Sequence, residues 1–69
     1  MDISWREGYE LRVTVVNGEV VITGNRKGLL SLADQLTLLS KEPIGSHLHL
    51  DAYNALEDGS DELIIERVR

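Results

Sequence analysis

The chain has no cysteine and no phenylalanine, a single proline, and no lysine or arginine anywhere between Glu42 and Glu66. Without cysteine, neither a disulfide framework nor a thiolate zinc site can stiffen the fold, which excludes the small secreted scaffold and fits a reducing compartment. The apolar runs are far too short to span a bilayer, and Met1-Asp2-Ile3-Ser4-Trp5-Arg6-Glu7 lacks the basic start and apolar stretch of a signal peptide. A soluble cytoplasmic protein is expected. With 69 residues, 1–69 make a single domain that buries only about 60% of its unfolded surface, so the core must be efficient or borrow a partner.

The charge that is present is divided unevenly. Residues 1–41 carry five acids (Asp2, Glu7, Glu10, Glu19, Asp34) and five bases (Arg6, Arg12, Arg26, Lys27, Lys41), which cancel. The stretch from Glu42 to Glu66 carries seven acids and both histidines, and Arg67 and Arg69 return the formal net charge to −5. Nucleic acid and anionic membranes would be repelled by the acidic stretch, so neither is an expected partner, whereas a basic protein is.

Periodicity divides the chain into five elements. Tyr9, Leu11, Val13 and Val15 alternate with Glu10, Arg12 and Thr14, the pattern of a half-buried strand. Asn17-Gly18 follows, a dipeptide that favours a type I′ turn and sets Val16 against Glu19, Val15 against Val20 and Val13 against Ile22. Leu11, Val13, Val15, Val20 and Ile22 then share one apolar face. Asn25 is placed to cap a helix in which Leu29, Leu32, Ala33, Leu36 and Leu39 recur at helical spacing, ending before Pro43 and Gly45. Leu48 and Leu50 alternate with His47, His49 and Asp51 in a third strand, and 62–68, centred on Leu63, Ile64 and Ile65, forms a fourth. The predicted fold is α+β, a two-layer ββαββ sandwich with one helix on one face of a four-stranded antiparallel sheet. Consecutive pairing around a right-handed crossover makes 2-1-3-4 its simplest strand order.

Catalytic chemistry finds little support in this chain. His47, His49 and Asp51 share a strand face, but they span about 13 Å at about 3.3 Å per residue, too far to meet one ion on a regular strand. A further ligand would have to come from a neighbouring strand, and neither a metal nor a cofactor is expected. Ser46 and His47, being successive strand residues, point to opposite faces and make no nucleophile–base pair. Asp58-Gly59-Ser60-Asp61 lacks the alternating ligands and terminal glutamate of a calcium loop and reads as a turn. Gly24-Asn25-Arg26-Lys27-Gly28 lacks the Gly-Lys-Ser/Thr ending of a phosphate loop and reads as a capped helix start. No residue is assigned a catalytic role. The surface expected to meet a partner comprises His47, His49, Asp51, Glu57, Asp58, Asp61 and Glu62, with Trp5 as an aromatic anchor of the kind that dominates interface energies.

The segments Gly24-Asn25-Arg26-Lys27-Gly28-Leu29-Leu30-Ser31-Leu32-Ala33, Gly45-Ser46-His47-Leu48-His49-Leu50-Asp51 and Gly59-Ser60-Asp61-Glu62-Leu63-Ile64-Ile65 together resemble the Immunity protein 32 family, over about residues 17–68. These are small bacterial proteins assigned to polymorphic-toxin systems. The resemblance implies a protein that binds and neutralises a cognate toxin made by the same cell or its kin, and it transfers no contact residues. A basic nuclease is the toxin that an acidic surface would suit, because a nuclease cleft must hold phosphates. The alternative is a small homodimeric structural or regulatory domain without catalytic activity, in which the acids keep the dimer soluble.

Overall fold

The computed structural model describes residues 3–69. Its elements follow the order β1 (Leu11–Val16), β2 (Glu19–Gly24), α1 (Arg26–Leu39), β3 (His47–Leu50) and β4 (Leu63–Glu66). Asn17 and Gly18 both adopt positive φ, 51° and 79°, as a type I′ turn requires. The register is the one that turn dictates: Val16 faces Glu19, Val15 faces Val20 and Val13 faces Ile22.

Asn25 ties the hairpin to the helix. Its extended backbone and side-chain Oδ1 form the N-cap, with Oδ1 accepting from Gly28 N at 2.7 Å and from Glu10 N at 3.0 Å. Its Nδ2 donates to Gly8 O and to Glu10 Oε1, both at 3.0 Å, and its own N–H donates to Glu10 O. The first helical turn has no acid of its own, so Glu10 supplies negative charge beside its N-terminus. Replacing Asn25 with alanine removes a cap worth about 1–2 kcal/mol and should lower the urea midpoint accordingly. A midpoint unchanged in that variant would show that the cap is dispensable.

The single four-stranded sheet of the predicted sandwich is not what forms. The strands make two separate antiparallel pairs, β1–β2 and β3–β4, although the ββαββ order and the single helix hold. In β3–β4, His47 faces Glu66, Leu48 faces Ile65, His49 faces Ile64 and Leu50 faces Leu63. The 2-1-3-4 order fails because the second edge of β1 is taken by residues 57–61 rather than by β3. Glu57 N donates to Leu11 O at 2.9 Å and Asp61 N to Val13 O at 2.8 Å. The return bonds come from side chains: Val13 N donates to Ser60 Oγ and Val15 N to Asp61 Oδ2 at 2.7 Å. Side-chain acceptors satisfy the strand edge where a regular ladder would use carbonyls, so the two sheets meet at a seam instead of fusing.

The core also sits differently from expectation. Leu11, Val13, Leu32, Leu50, Ala55 and Leu56 form a buried cluster, against which Trp5, Tyr9, Leu63 and Ile65 pack. Leu39 and Leu48 are buried too. Val15, Val20 and Ile22, grouped with Leu11 and Val13 by sequence, remain 49%, 57% and 39% exposed; Ile22 is exposed although it faces the buried Val13, because β2 is the outer strand of its pair. On the helix, Leu29 and Leu36 are exposed while Gly28, Ser31 and Gln35 are buried. The segment before β1 causes this rotation by lying across the helix. Arg6 N donates to Ser31 Oγ at 2.9 Å, Gln35 Nε2 donates to Ser4 O, and the Arg6 guanidinium pairs with Asp34 at 3.1 Å.

Candidate partner-binding face

Strand parity builds the site. In β3, Leu48 and Leu50 are buried while His47 and His49 are exposed, so the histidines belong to the outer face. Directly opposed residues in an antiparallel pair project on the same side, which adds Glu66 opposite His47 and Ile64 opposite His49. Continuing the register by one residue at the turn-side end sets Asp51 against Glu62. The outer face of β3–β4 is therefore three cross-strand pairs: His47 with Glu66, His49 with Ile64, and Asp51 with Glu62.

Three of these groups converge. His49 Nε2 lies 3.8 Å from Asp51 Oδ2 and 3.7 Å from Glu62 Oε2, and the ligand atoms of all three fall within 4.8 Å of one another. Opposed like charges such as Asp51 and Glu62 destabilise a sheet, and here the His49 ring stands between the two carboxylates. Asp51 is held for this arrangement by the turn that follows. Its Oδ1 accepts from Tyr53 N at 2.9 Å and Asn54 N at 3.0 Å, leaving Oδ2 directed at His49. Asn54 answers by accepting from Asp51 N and donating to His49 O at 2.7 Å. The same turn, in which Asp51 O accepts from Ala55 N and Leu56 N, delivers Ala55 and Leu56 to the core.

An imidazole and two carboxylates at this spacing can close around a cation. The edge of a tetrahedral zinc site with bonds of about 2.1 Å is about 3.4 Å, close to the separations of His49 from its two neighbours. A partner's ammonium or guanidinium fits the same charge pattern and matches the wide exposure of Glu62. The third member is Glu62 of the facing segment, not His47, which stands two residues away beside Glu66.

The remaining residues assigned to the surface by sequence lie elsewhere. Glu57, Asp58 and Asp61 belong to the seam along β1, where Asp61 accepts from Val15 N and the Asp58 carbonyl accepts from Arg12 Nη1 at 2.9 Å. Glu57 approaches Tyr9, whose hydroxyl donates to Ala55 O at 2.8 Å. Burial first, and then the Glu57 charge, push the ionisation of that hydroxyl up. Trp5 is half-buried and stacks on Tyr9, with ring centroids 4.9 Å apart. It lines a shallow groove with Ile3, Leu50, Asn54 and Ala55.

Sequence reasoning missed Ile64, Glu66 and Tyr53. Tyr53 is 99% exposed at the turn beside Asp51, and Ile64 is 61% exposed at the centre of the outer face. The ambiguity of three adjacent apolar residues in β4 concealed Ile64, and only the register of β3–β4 resolves it.

The model of the family described as Immunity protein 32 matches residues 19–68. The chain belongs to that family. The match runs from β2 through β4 and so takes in the whole outer face, the turn after β3 and the seam residues 57–61. No curated protein and no solved structure matches the chain. Among the described residues no helix is long and apolar enough to cross a membrane. The Immunity protein 32 match agrees with the resemblance carried by the helix start, the histidine strand and the final strand.

Proposed function

We propose that this immunity protein neutralises a cognate protein toxin by presenting the outer face of β3–β4, and that the toxin surface it meets is basic, as the substrate cleft of a nuclease is. The carrying observation is the convergence of His49, Asp51 and Glu62 at one end of a face that also holds Glu66 and the exposed Ile64. Ile64 and Tyr53 supply apolar and aromatic contact area, and the surrounding acids supply charge complementarity. His47 and His49 contribute as donors or acceptors at this face. Glu57, Asp58 and Asp61 act through the seam and add to the field at longer range. Trp5 acts through the groove it lines. Neutralisation of this kind requires no catalytic group, and it operates in the cytoplasm, by covering the toxin's working surface.

Acidic residues that face a basic partner accelerate encounter more than they deepen affinity. The test is stopped-flow association with the protein encoded immediately upstream, once the two have been shown to co-purify. The association rate is expected to fall steeply as the screening length shrinks from about 30 Å at 0.01 M salt to about 8 Å at 0.15 M. A rate independent of salt would remove charge steering by this face.

A further inference from the structure

The hairpin leaves β2 with an edge that no other described strand occupies. Residues 19–23 are exposed throughout, although four of the six strand residues are Val20, Val21, Ile22 and Thr23. Natural edge strands are usually blunted by lysine, proline, a bulge or an inward charge. β2 has none of these, and its one charge is Glu19 at the turn end. The other hairpin edge contrasts with it. Val16 and Glu19 flank a two-residue turn and form a hydrogen-bonded pair, so Leu11, Val13 and Val15 direct their backbone groups away from β2. Those are the groups met by Glu57, Ser60 and Asp61. The same parity on β2 directs the N–H and C=O of Val20, Ile22 and Gly24 outward, where the described chain supplies no ladder for them.

We propose that a second copy of this chain occupies this edge, with the two β2 strands antiparallel about a two-fold axis at Ile22. In this register Val20 faces Gly24 of the second copy, and Ile22 faces its own counterpart. All the outward backbone groups of both strands are then used, in about six inter-chain hydrogen bonds. The side chains agree with the register. Leu29 lies over Gly24, where a Cβ would come within 3.3 Å of its Cδ2, so Val20 of the second copy, set opposite Gly24, comes beside an exposed leucine. The charges agree as well. Glu19 comes opposite Asn25 of the second copy and next to Arg26, so the acid at one end of each strand meets the base following the other end. The acids that would keep two chains apart lie in residues 42–66, outside this contact. A self-complementary surface of this kind gives a closed dimer. It uses none of the residues of the β3–β4 face and stands independently of the toxin-binding reading.

The chain contains no cysteine, so introduced thiols report only the proposed contact. A hydrogen-bonded pair places Cα atoms about 5.5 Å apart, within the range a disulfide spans, whereas the two Val20 residues would be separated by about 13 Å along the strand. On mild oxidation Ile22→Cys is expected to form a covalent dimer and Val20→Cys is not. Light scattering after size exclusion should give the wild type twice the 7.7 kDa chain mass. Ile22→Lys, which sets two ammonium groups against each other on the axis, should give the single mass with an unchanged circular dichroism spectrum. A monomeric wild type at 100 μM, whether or not a different protein then takes the edge, overturns the proposal. So does a dimer that persists in Ile22→Lys, or equal cross-linking through Val20→Cys.

Discussion

Replacing Gly28 with alanine should destabilise the protein by about 3 kcal/mol or more, although the same change elsewhere in a helix usually stabilises by about 0.5–1 kcal/mol. The reason is the closeness of the helix start to the strand before it. A Cβ at position 28 would sit 1.8 Å from the carbonyl oxygen of Glu10 and 2.8 Å from its carbonyl carbon. Glu10 cannot withdraw locally, because its carbonyl accepts from Asn25 N and its N–H donates to Asn25 Oδ1. Moving the helix instead breaks the bonds between Asn25 and Glu10 and opens the core at Leu32. At roughly 4–8 °C per kcal/mol for a domain of this size, the midpoint should fall by about 12 °C or more, with native-like signal recovered only on cooling. A calorimetric midpoint at or above that of the wild type would mean that the close approach of Gly28 and Glu10 does not govern stability.

Reversing the charge at Glu62 and Glu66 together should slow association with the cognate toxin by about ten- to a hundredfold, within the range that electrostatic steering supplies. Each Glu→Lys change adds two units, so the pair takes the formal net charge from −5 to −1 while concentrating the change on one face. Both side chains are exposed on the outer face, away from the core cluster, so melting behaviour should stay near that of the wild type. Asp51 is unsuited to the same experiment, since its carboxylate accepts from Tyr53 N and Asn54 N and organises the turn that delivers Leu56 to the core. Most of the effect should fall on the association rate and disappear at high salt. An association rate equal to that of the wild type at low salt would move the toxin contact off this face.

The parts of the fold legible in the sequence are those decided within a few residues. Asn17-Gly18 specifies both a turn and a register, and Asn25 specifies a helix start, so these features appear where local chemistry puts them. The helix face was not legible because the segment that covers it has no periodicity of its own. Ser4 and Arg6 reach the helix through a carbonyl and an N–H, and these meet buried Gln35 and Ser31 where apolar spacing pointed to Leu29 and Leu36. The pairing of the sheets was hidden for a related reason. Ser60 and Asp61 serve as strand-edge acceptors through their side chains, and the sequence of a turn does not distinguish that role from solvation.

The candidate face was legible in half. Alternation through His47, Leu48, His49 and Leu50 places both histidines and Asp51 outward without any knowledge of the partner strand. Glu62, Ile64 and Glu66 join them only once the register of β4 is known, and the three apolar residues of that strand do not announce it. The acids of residues 57–61 illustrate the opposite error. Their charge suggested surface alone, yet Asp61 also closes the β1 edge with a 2.7 Å bond.

That closure has a consequence for the order in which the protein can form. The hairpin, the cap and the helix are local, whereas the bonds from Val13 and Val15 to Ser60 and Asp61 join residues 47 and 46 positions apart. Contacts across such separations are the slow ones in a small domain. During synthesis, at about 5–20 residues per second, β1 waits for residues 57–61 before its second edge acquires partners. For that interval the nascent hairpin carries two open edges, and Ser60 and Asp61 then close the one along β1.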